Sequence, residues 1–214
     1  MSRSLEDSSI KPKVPIILAS GSASRKQMLE EAGILFDVQV SPTDEDLIKD
    51  KISSLPFYEQ VIHLAKAKAE SVSNQNPESA VIGGDQMCAL DDRLLHKPGT
   101  KAKAIESLKS LSNKKHFQHS GVCIFKDNEC LWQYSETVEL KMHNLTEKEI
   151  INYVDIENPI NAAGSYKFES MGCNLFSYVN GSSHTVRGMP LLRLLNALRA
   201  VSYTHLTLPT TPYV

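Results

Sequence analysis

The chain has 214 residues, 41% hydrophobic and 22% charged, with a net charge of −2: room for one sizeable or bilobed domain, not two independent cores. That charge excludes a global field that recruits nucleic acid or anionic membrane, and no apolar run approaches the ~20 residues that span a bilayer. Cys88, Cys123, Cys130 and Cys173 form no C-x-x-C pair or disulfide framework, and the polar N-terminus lacks a signal-peptide core, so a cytoplasmic enzyme is expected.

Residues 1–13 are expected to be a solvated, flexible arm, after which Val14–Ala19 reads as a buried strand. The helix that follows runs to about Ala32, with Gly33 as its C-terminal stop. ILFDVQV (34–40) shows the partial alternation of a second strand, and SPTDED (41–46) reads as a polar loop. From Pro56 to about Gln75, Phe57, Val61, Leu64, Ala65 and Val72 recur at helical spacing. AVIGGDQMCAL (80–90) is a strand carrying two glycines and an acid. Asp91-Asp92 makes a turn, and HKPGT leads into a helix over about 101–111 with Thr100 as its cap.

Two long strand-like runs, 116–126 and 129–143, flank Asp127-Asn128 as a hairpin. Thr146 to Glu149 is a capping-box pattern opening a helix through about Val154. Residues 158–172 are irregular, CNLFSYV is a strand, and Asn180-Gly181 is a turn. Pro190 stands in the first turn of a last amphipathic helix. Strands alternating with helices around an inserted hairpin predict an α/β fold with a mixed sheet, one domain over residues 14–200. Residues 201–214, Thr-rich and broken by Pro209 and Pro212, are expected to be a non-native or disordered tail outside that domain.

Chemistry concentrates in a few stretches. In IILASGSASRKQML (16–29) a strand turns through small residues into a helix N-terminus, exposing backbone N–H groups where a phosphate can approach. Arg25 and Lys26 add charge, and Arg suits forked contacts with phosphate oxygens. A plain capped helix with surface cations is the alternative. In VIGGDQ, Asp85 lies in an apolar, glycine-rich strand where a carboxylate is costly without a cation or donor. A structural Asp bonded to the backbone competes with that. Asp44, Glu45 and Asp46 offer hard oxygen ligands of the kind magnesium takes, or form a solvated acidic loop. Lys68 and Lys97 are candidate phosphate contacts. No histidine spacing suggests a metal site, and no P-loop pattern is present. Together these features suit metal-assisted phosphoryl chemistry.

The blocks LASGSASRKQMLEEAGILFDV, LAKAKA, VIGGDQMCALD, KPGTKAKAIESLKSLS, YVDIENPINAAGSYKFESMG and VRGMPL occur in an order that resembles the Maf family of nucleoside triphosphate pyrophosphatases. The resemblance covers about residues 15–198. It is strongest to the 7-methyl-GTP pyrophosphatase branch, with SDQ and AGS(F/Y)KxE where this chain has GDQ and AGSYKFE; the dTTP/UTP branch has ADT and AGAYGIQ.

What the resemblance implies is an elongated Maf-like (ITPase-like) mixed sheet flanked by helices, a cleft between two lobes, and a divalent cation, Mg or Mn. It matches Asp85 to the catalytic acid and metal ligand, Glu45 to the second acid at the metal, and Arg25, Ser20 and Ser22 to the phosphate loop. Lys68 and Lys97 match the two motif lysines, and Gln86, Glu169 and Ser24 fall on substrate-discriminating positions. Ser24 stands where the 7-methyl-GTP branch has Trp; Ala23 and Lys26 also depart from the family's Pro and Arg. The implied reaction is hydrolysis of a nucleoside triphosphate, 7-methyl-GTP or another modified nucleotide, to monophosphate and pyrophosphate. The alternatives are a dTTP/UTP-type enzyme and a non-catalytic nucleotide- or nucleic-acid-binding regulator of cell division. No stable nucleic-acid or membrane partner is expected, and a homodimer stays open.

Overall fold

The computed structural model describes residues 10–201 and 204–206. After β1 (Ile10–Pro12), the buried β2 (Ile16–Leu18) leads through the serine loop into α1 (Ala23–Glu31). Ser22 caps α1 by accepting from the Arg25 N–H at 3.4 Å, and Gly33, at φ 70°, follows its end. Only two residues of the expected second strand pair, as β3 (Asp37–Val38), and both are exposed at the sheet edge.

The acidic loop is shorter than expected, because α2 (Glu45–Ile52) begins inside it. The Asp44 carboxylate accepts from the N–H groups of Asp46 and Leu47, acids fill the first turn, and Lys49 and Lys51 the last. Cap and charges both favour the helix over the loop. Helix α3 (Phe57–Ser73) follows, then β4 (Ala80–Leu90), a short β5 (Arg93–Leu95) absent from the sequence reading, and α4 (Lys101–Leu111), capped by Thr100 as expected. Strands β6 (Lys115–Lys126) and β7 (Glu129–Met142) meet at Asp127 and Asn128, whose φ values of 51° and 64° form the predicted turn.

Both halves of the Thr146–Glu149 capping box are formed at α5 (Glu147–Glu157), which outlasts the expected end. The expected strand CNLFSYV is strand only from its middle: Met171–Leu175 is a 3-10 turn, and β8 is Phe176–Asn180. A short α6 (Ser183–Val186), not foreseen, precedes α7 (Leu191–Ala200), with Pro190 at the N-cap position. Strand β9 (Thr204–Leu206) pairs antiparallel with β1, linking the described parts of the two terminal segments that the sequence set outside the domain. Residues 1–9, 202–203 and 207–214 lie outside the described residues. No described helix is long and apolar enough to cross a membrane.

The main sheet runs β3-β2-β4-β6-β7-β8 and is mixed: β2 is parallel to β3 and β4, and the later pairs are antiparallel. One edge of β4 is divided. Its first residues, Ala80 to Ile82, pair with β2, and its last, Cys88 to Leu90, pair with β5. Residues 83–87 face a gap between them. Ala80 donates to Pro15 O and Ile82 accepts from Ala19 N on that edge. The two-residue strand period therefore turns the backbone groups of Gly84 and Gln86 into the gap.

Helix α3 lies directly on glycine backbone. A Cβ on Gly83 would stand 2.1 Å from Ala65 O, and one on Gly121 would stand 2.6 Å from Val61 O. On the opposite face, β2, α1 and α7 build one apolar cluster, and α4, α5 and β8 build another. A cavity of about 1080 Å³ is lined from both faces of β4.

Candidate active site

Lys68 continues the buried α3 stripe of Val61, Leu64 and Ala65, an amine in an otherwise apolar row. The glycine contact brings that stripe close to β4, and Lys68 Nζ donates to Asp85 Oδ1 at 2.7 Å. Lys68 is 8% exposed and Asp85 7%. The same ammonium lies 2.9 Å from Glu45 Oε1 at the start of α2, and Lys49, one turn along, lies 3.6 Å from Glu45 Oε2. Burial pushes the Glu45 carboxyl up, but the hydrogen bond and charge of Lys68, with the charge of Lys49, outweigh it and hold it below the ordinary value.

Arg25 approaches from the other face of β4. A Cβ on Gly84 would meet its Nε at 3.0 Å, so the glycine admits the guanidinium against the strand. Nε donates to Gly188 O at 2.8 Å and Nη1 to Ser20 Oγ at 3.0 Å. Burial lowers the Arg25 pKa, and the charges of Asp85 and Glu45 oppose that. Ser24 Oγ donates to Arg187 O at 2.8 Å, and Gln86 Nε2 donates to Thr185 O and Val186 O at 3.2 and 2.8 Å. Ser120 Oγ adds a third bond to Thr185 O's neighbourhood, donating to that carbonyl at 2.9 Å. Four consecutive carbonyls, 185–188, thus receive side-chain donors from around the site. Gly188 holds φ 111°, a conformation that L side chains rarely adopt.

All ten residues nominated from the sequence line this one cavity: Ser20, Ser22, Ser24, Arg25, Glu45, Lys68, Asp85, Gln86, Lys97 and Glu169. They are not equivalent. Arg25, Lys68 and Asp85 form its buried inner end, whereas Lys97 and Glu169 are exposed at its far end. Lys49, Gln118 and Tyr166 also line it and were missed. For Lys49 the signal was present: it stands four residues after Glu45, in the charge pattern of a capped helix.

Among the described residues no group of three His, Cys, Asp or Glu side chains is gathered into a metal cage. The two acids joined through Lys68, Asp85 and Glu45, nevertheless suit a magnesium-class ion. Such an ion is commonly held by one or two carboxylates, with phosphate oxygens and water completing its shell.

The Maf-like protein family matches residues 15–201. This chain belongs to the Maf family. Among its relatives, a nucleoside triphosphate pyrophosphatase of Legionella pneumophila is 42% identical over 184 residues, covering 86% of this chain and 92% of that protein. One of the same name from Ruegeria pomeroyi is 38% identical, covering 88% and 98%. A 7-methyl-GTP pyrophosphatase of Rhizobium etli is 37% identical, covering 86% and 94%. In this Maf protein the family's matched stretch contains both walls of the cavity, from the serine loop to the carbonyls of 185–188.

Proposed function

We propose that this Maf protein is a hydrolase that cleaves the α–β phosphoanhydride of a nucleoside triphosphate, giving a nucleoside monophosphate and pyrophosphate. The observation that carries this reading is Asp85: a carboxylate 7% exposed in the stretch of β4 that is paired with β6 but open on its other edge, with Lys68 on one face and Arg25 on the other. A binding module gains nothing from a carboxylate beside a polyphosphate, while hydrolysis needs one to orient and deprotonate water. Lys68 occupies Asp85 Oδ1, which leaves Oδ2 for that water. The water oxygen bonds to the α-phosphorus, its proton passes to Asp85, and the bond to the bridging oxygen breaks to release pyrophosphate. Arg25, Lys68 and the N–H groups of residues 20–24 hold the phosphates and balance the charge that builds on the leaving group. Lys97 reaches the same cavity from its rim.

Asp85 and Glu45 are the residues that would hold a divalent cation. Bound there, it would polarise the phosphate oxygens and lower the pKa of water.

For the base, 7-methyl-GTP or another modified nucleotide is the favoured substrate. Glu169 lines the far end of the cavity, and a carboxylate favours the delocalised positive charge of an N7-methylated guanine. The likeness to the Rhizobium etli enzyme supports the same choice. The test is pyrophosphate release from 7-methyl-GTP, GTP, UTP and dTTP by wild type and Glu169→Gln. Wild type is expected to prefer 7-methyl-GTP, and the variant to lose roughly tenfold of that preference over GTP. Preference for UTP or dTTP, or an unchanged ratio in the variant, would defeat the assignment of the base.

A further inference from the structure

Beneath the far end of the cavity, β6 contributes Gln118, which is 2% exposed and forms part of the cavity wall. Its Nε2 donates to the Tyr166 hydroxyl at 2.7 Å, and that hydroxyl lies 3.0 Å from His116 Nε2. Gln118 Oε1 is buried and has no hydrogen-bond partner. An unmade bond at a buried carbonyl costs as much as a lost hydrogen bond, so such an atom is retained where something else completes it.

The direction of the chain of bonds follows from His116. Burial holds its imidazole neutral, with its pKa lowered to about 4. The Lys114 backbone favours a proton on the ring nitrogen that does not meet Tyr166, which leaves Nε2 as the acceptor for the Tyr166 proton. The Tyr166 oxygen must then accept, which requires Gln118 to offer Nε2 and leaves Oε1 as the spare atom.

Gln86 ends in the same state by another route. Its Nε2 faces two backbone carbonyls, which fixes the amide orientation and leaves Oε1 for a ligand. Glu169 is acceptor-only when ionised. Three side chains on the cavity wall therefore offer acceptors and no free donor.

We propose that Gln118 is a base-reading residue of this site, its carboxamide oxygen accepting from an N–H donor of a guanine-type base. The inference rests on the nucleotide reading of the cavity and adds to it a residue and a rule. Guanine presents an N1–H and an adjacent amino group, two donors side by side. Uracil and thymine present one N–H between two carbonyls, and so offer Gln118 one donor where guanine offers two side by side.

The test compares kcat/KM for GTP and for purine riboside 5′-triphosphate, which lacks both donors, in wild type and Gln118→Met. Methionine keeps the length of the side chain and removes the acceptor. Wild type is expected to favour GTP by more than tenfold, and the variant to lose roughly tenfold of that ratio. Should the methionine variant not fold, Tyr166→Phe keeps the carboxamide but removes its anchor, and a severalfold drop in the same ratio is expected. Turnover with a ratio within twofold of wild type in the folded variant overturns the inference alone. A wild type that releases pyrophosphate from neither nucleotide but does so from UTP or dTTP overturns the inference alone, and one that releases it from none of these or from 7-methyl-GTP overturns the function reading as well.

Discussion

The two ends of the cavity treat polar groups differently. At the α3 end, Lys68 joins Asp85 and Glu45, Lys49 lies against Glu45, and Arg25 donates to Ser20 and Gly188. At the other end Gln118 Oε1, and behind it His116 Nδ1 and Ser165 Oγ, are buried without hydrogen-bond partners, and Ser165 holds φ 63°. The Lys68–Asp85–Glu45 cluster is fixed before any ligand arrives, although Arg187, whose carbonyl accepts from Ser24, keeps Nε and Nη2 buried without partners. The other end keeps unfulfilled bonds and local backbone strain, which is where selectivity between ligands can be large. Rate and selectivity should therefore fail separately when each end is damaged.

The largest effect is expected at Asp85. Asp85→Asn keeps the shape of the side chain, and a loss of 10²–10⁴-fold in kcat is expected with the circular dichroism spectrum unchanged. A folded variant within severalfold of wild type would remove Asp85 from the chemistry. Arg25→Ala should lower kcat/KM by roughly a hundredfold, and Arg25→Lys should restore only part, since an ammonium cannot serve Gly188, Ser20 and a phosphate at once. Full recovery in the lysine variant would show that only the charge matters.

The neighbouring glycines offer a finer cut. Gly83→Ala drives a Cβ into the Ala65 carbonyl, 2.1 Å away, and should destabilise the fold by ~3 kcal/mol in urea denaturation. Gly84→Ala meets Arg25 Nε at 3.0 Å and should instead cost about tenfold in turnover with a much smaller loss of stability. Equal effects of the two on stability would dissolve the distinction between packing and positioning on adjacent residues.

The last expected effect is on acid stability, away from the chemistry. The unfolded chain protonates His116 near pH 6.5 and the folded chain only near 4, because burial disfavours the imidazolium. The contribution is therefore complete above pH 6.5 and declines as pH falls through that window, by about 3 kcal/mol. His119 shifts in the same direction for the same reason. Glu45, held low by Lys68, adds its own loss only below its ordinary value of 4.5. His116→Phe should flatten the fall in melting temperature between pH 6.5 and 4, and an undiminished slope would place its origin elsewhere.

Elements written in local chemistry were legible in the sequence. The β4 strand, the Thr100 cap, the Asp127-Asn128 turn and the Thr146 capping box all rest on patterns within a few residues. Strand β5 and helix α6 were missed because they are short and carry no apolar stripe or alternation of their own, whereas α2 was missed although its Asp44 cap and its charge pattern stand in the sequence. At the site, Asp85 and Lys68 stood out as charges in apolar runs. Gln118 did not, since its meaning depends on Tyr166, 48 residues away, and on an unmade bond that only packing reveals. Likewise, that Ser24 and Gln86 spend donors on the carbonyls of 185–187 follows from a loop brought back from the far end of the chain.

That return has a consequence for the order of assembly. The β6–β7 hairpin closes across a two-residue turn, so its register can form early and locally. The bond from Arg25 to Gly188 spans 163 positions, and the parallel pairing of β2 with β4 must wait for α1, α2 and α3 between them. On a ribosome, the guanidinium cannot be seated until almost the whole domain has emerged. A chain halted before Gly188 would carry Asp85, Lys68 and the hairpin, yet lack the carbonyls that aim Arg25. Competence is conferred by the last segment to arrive.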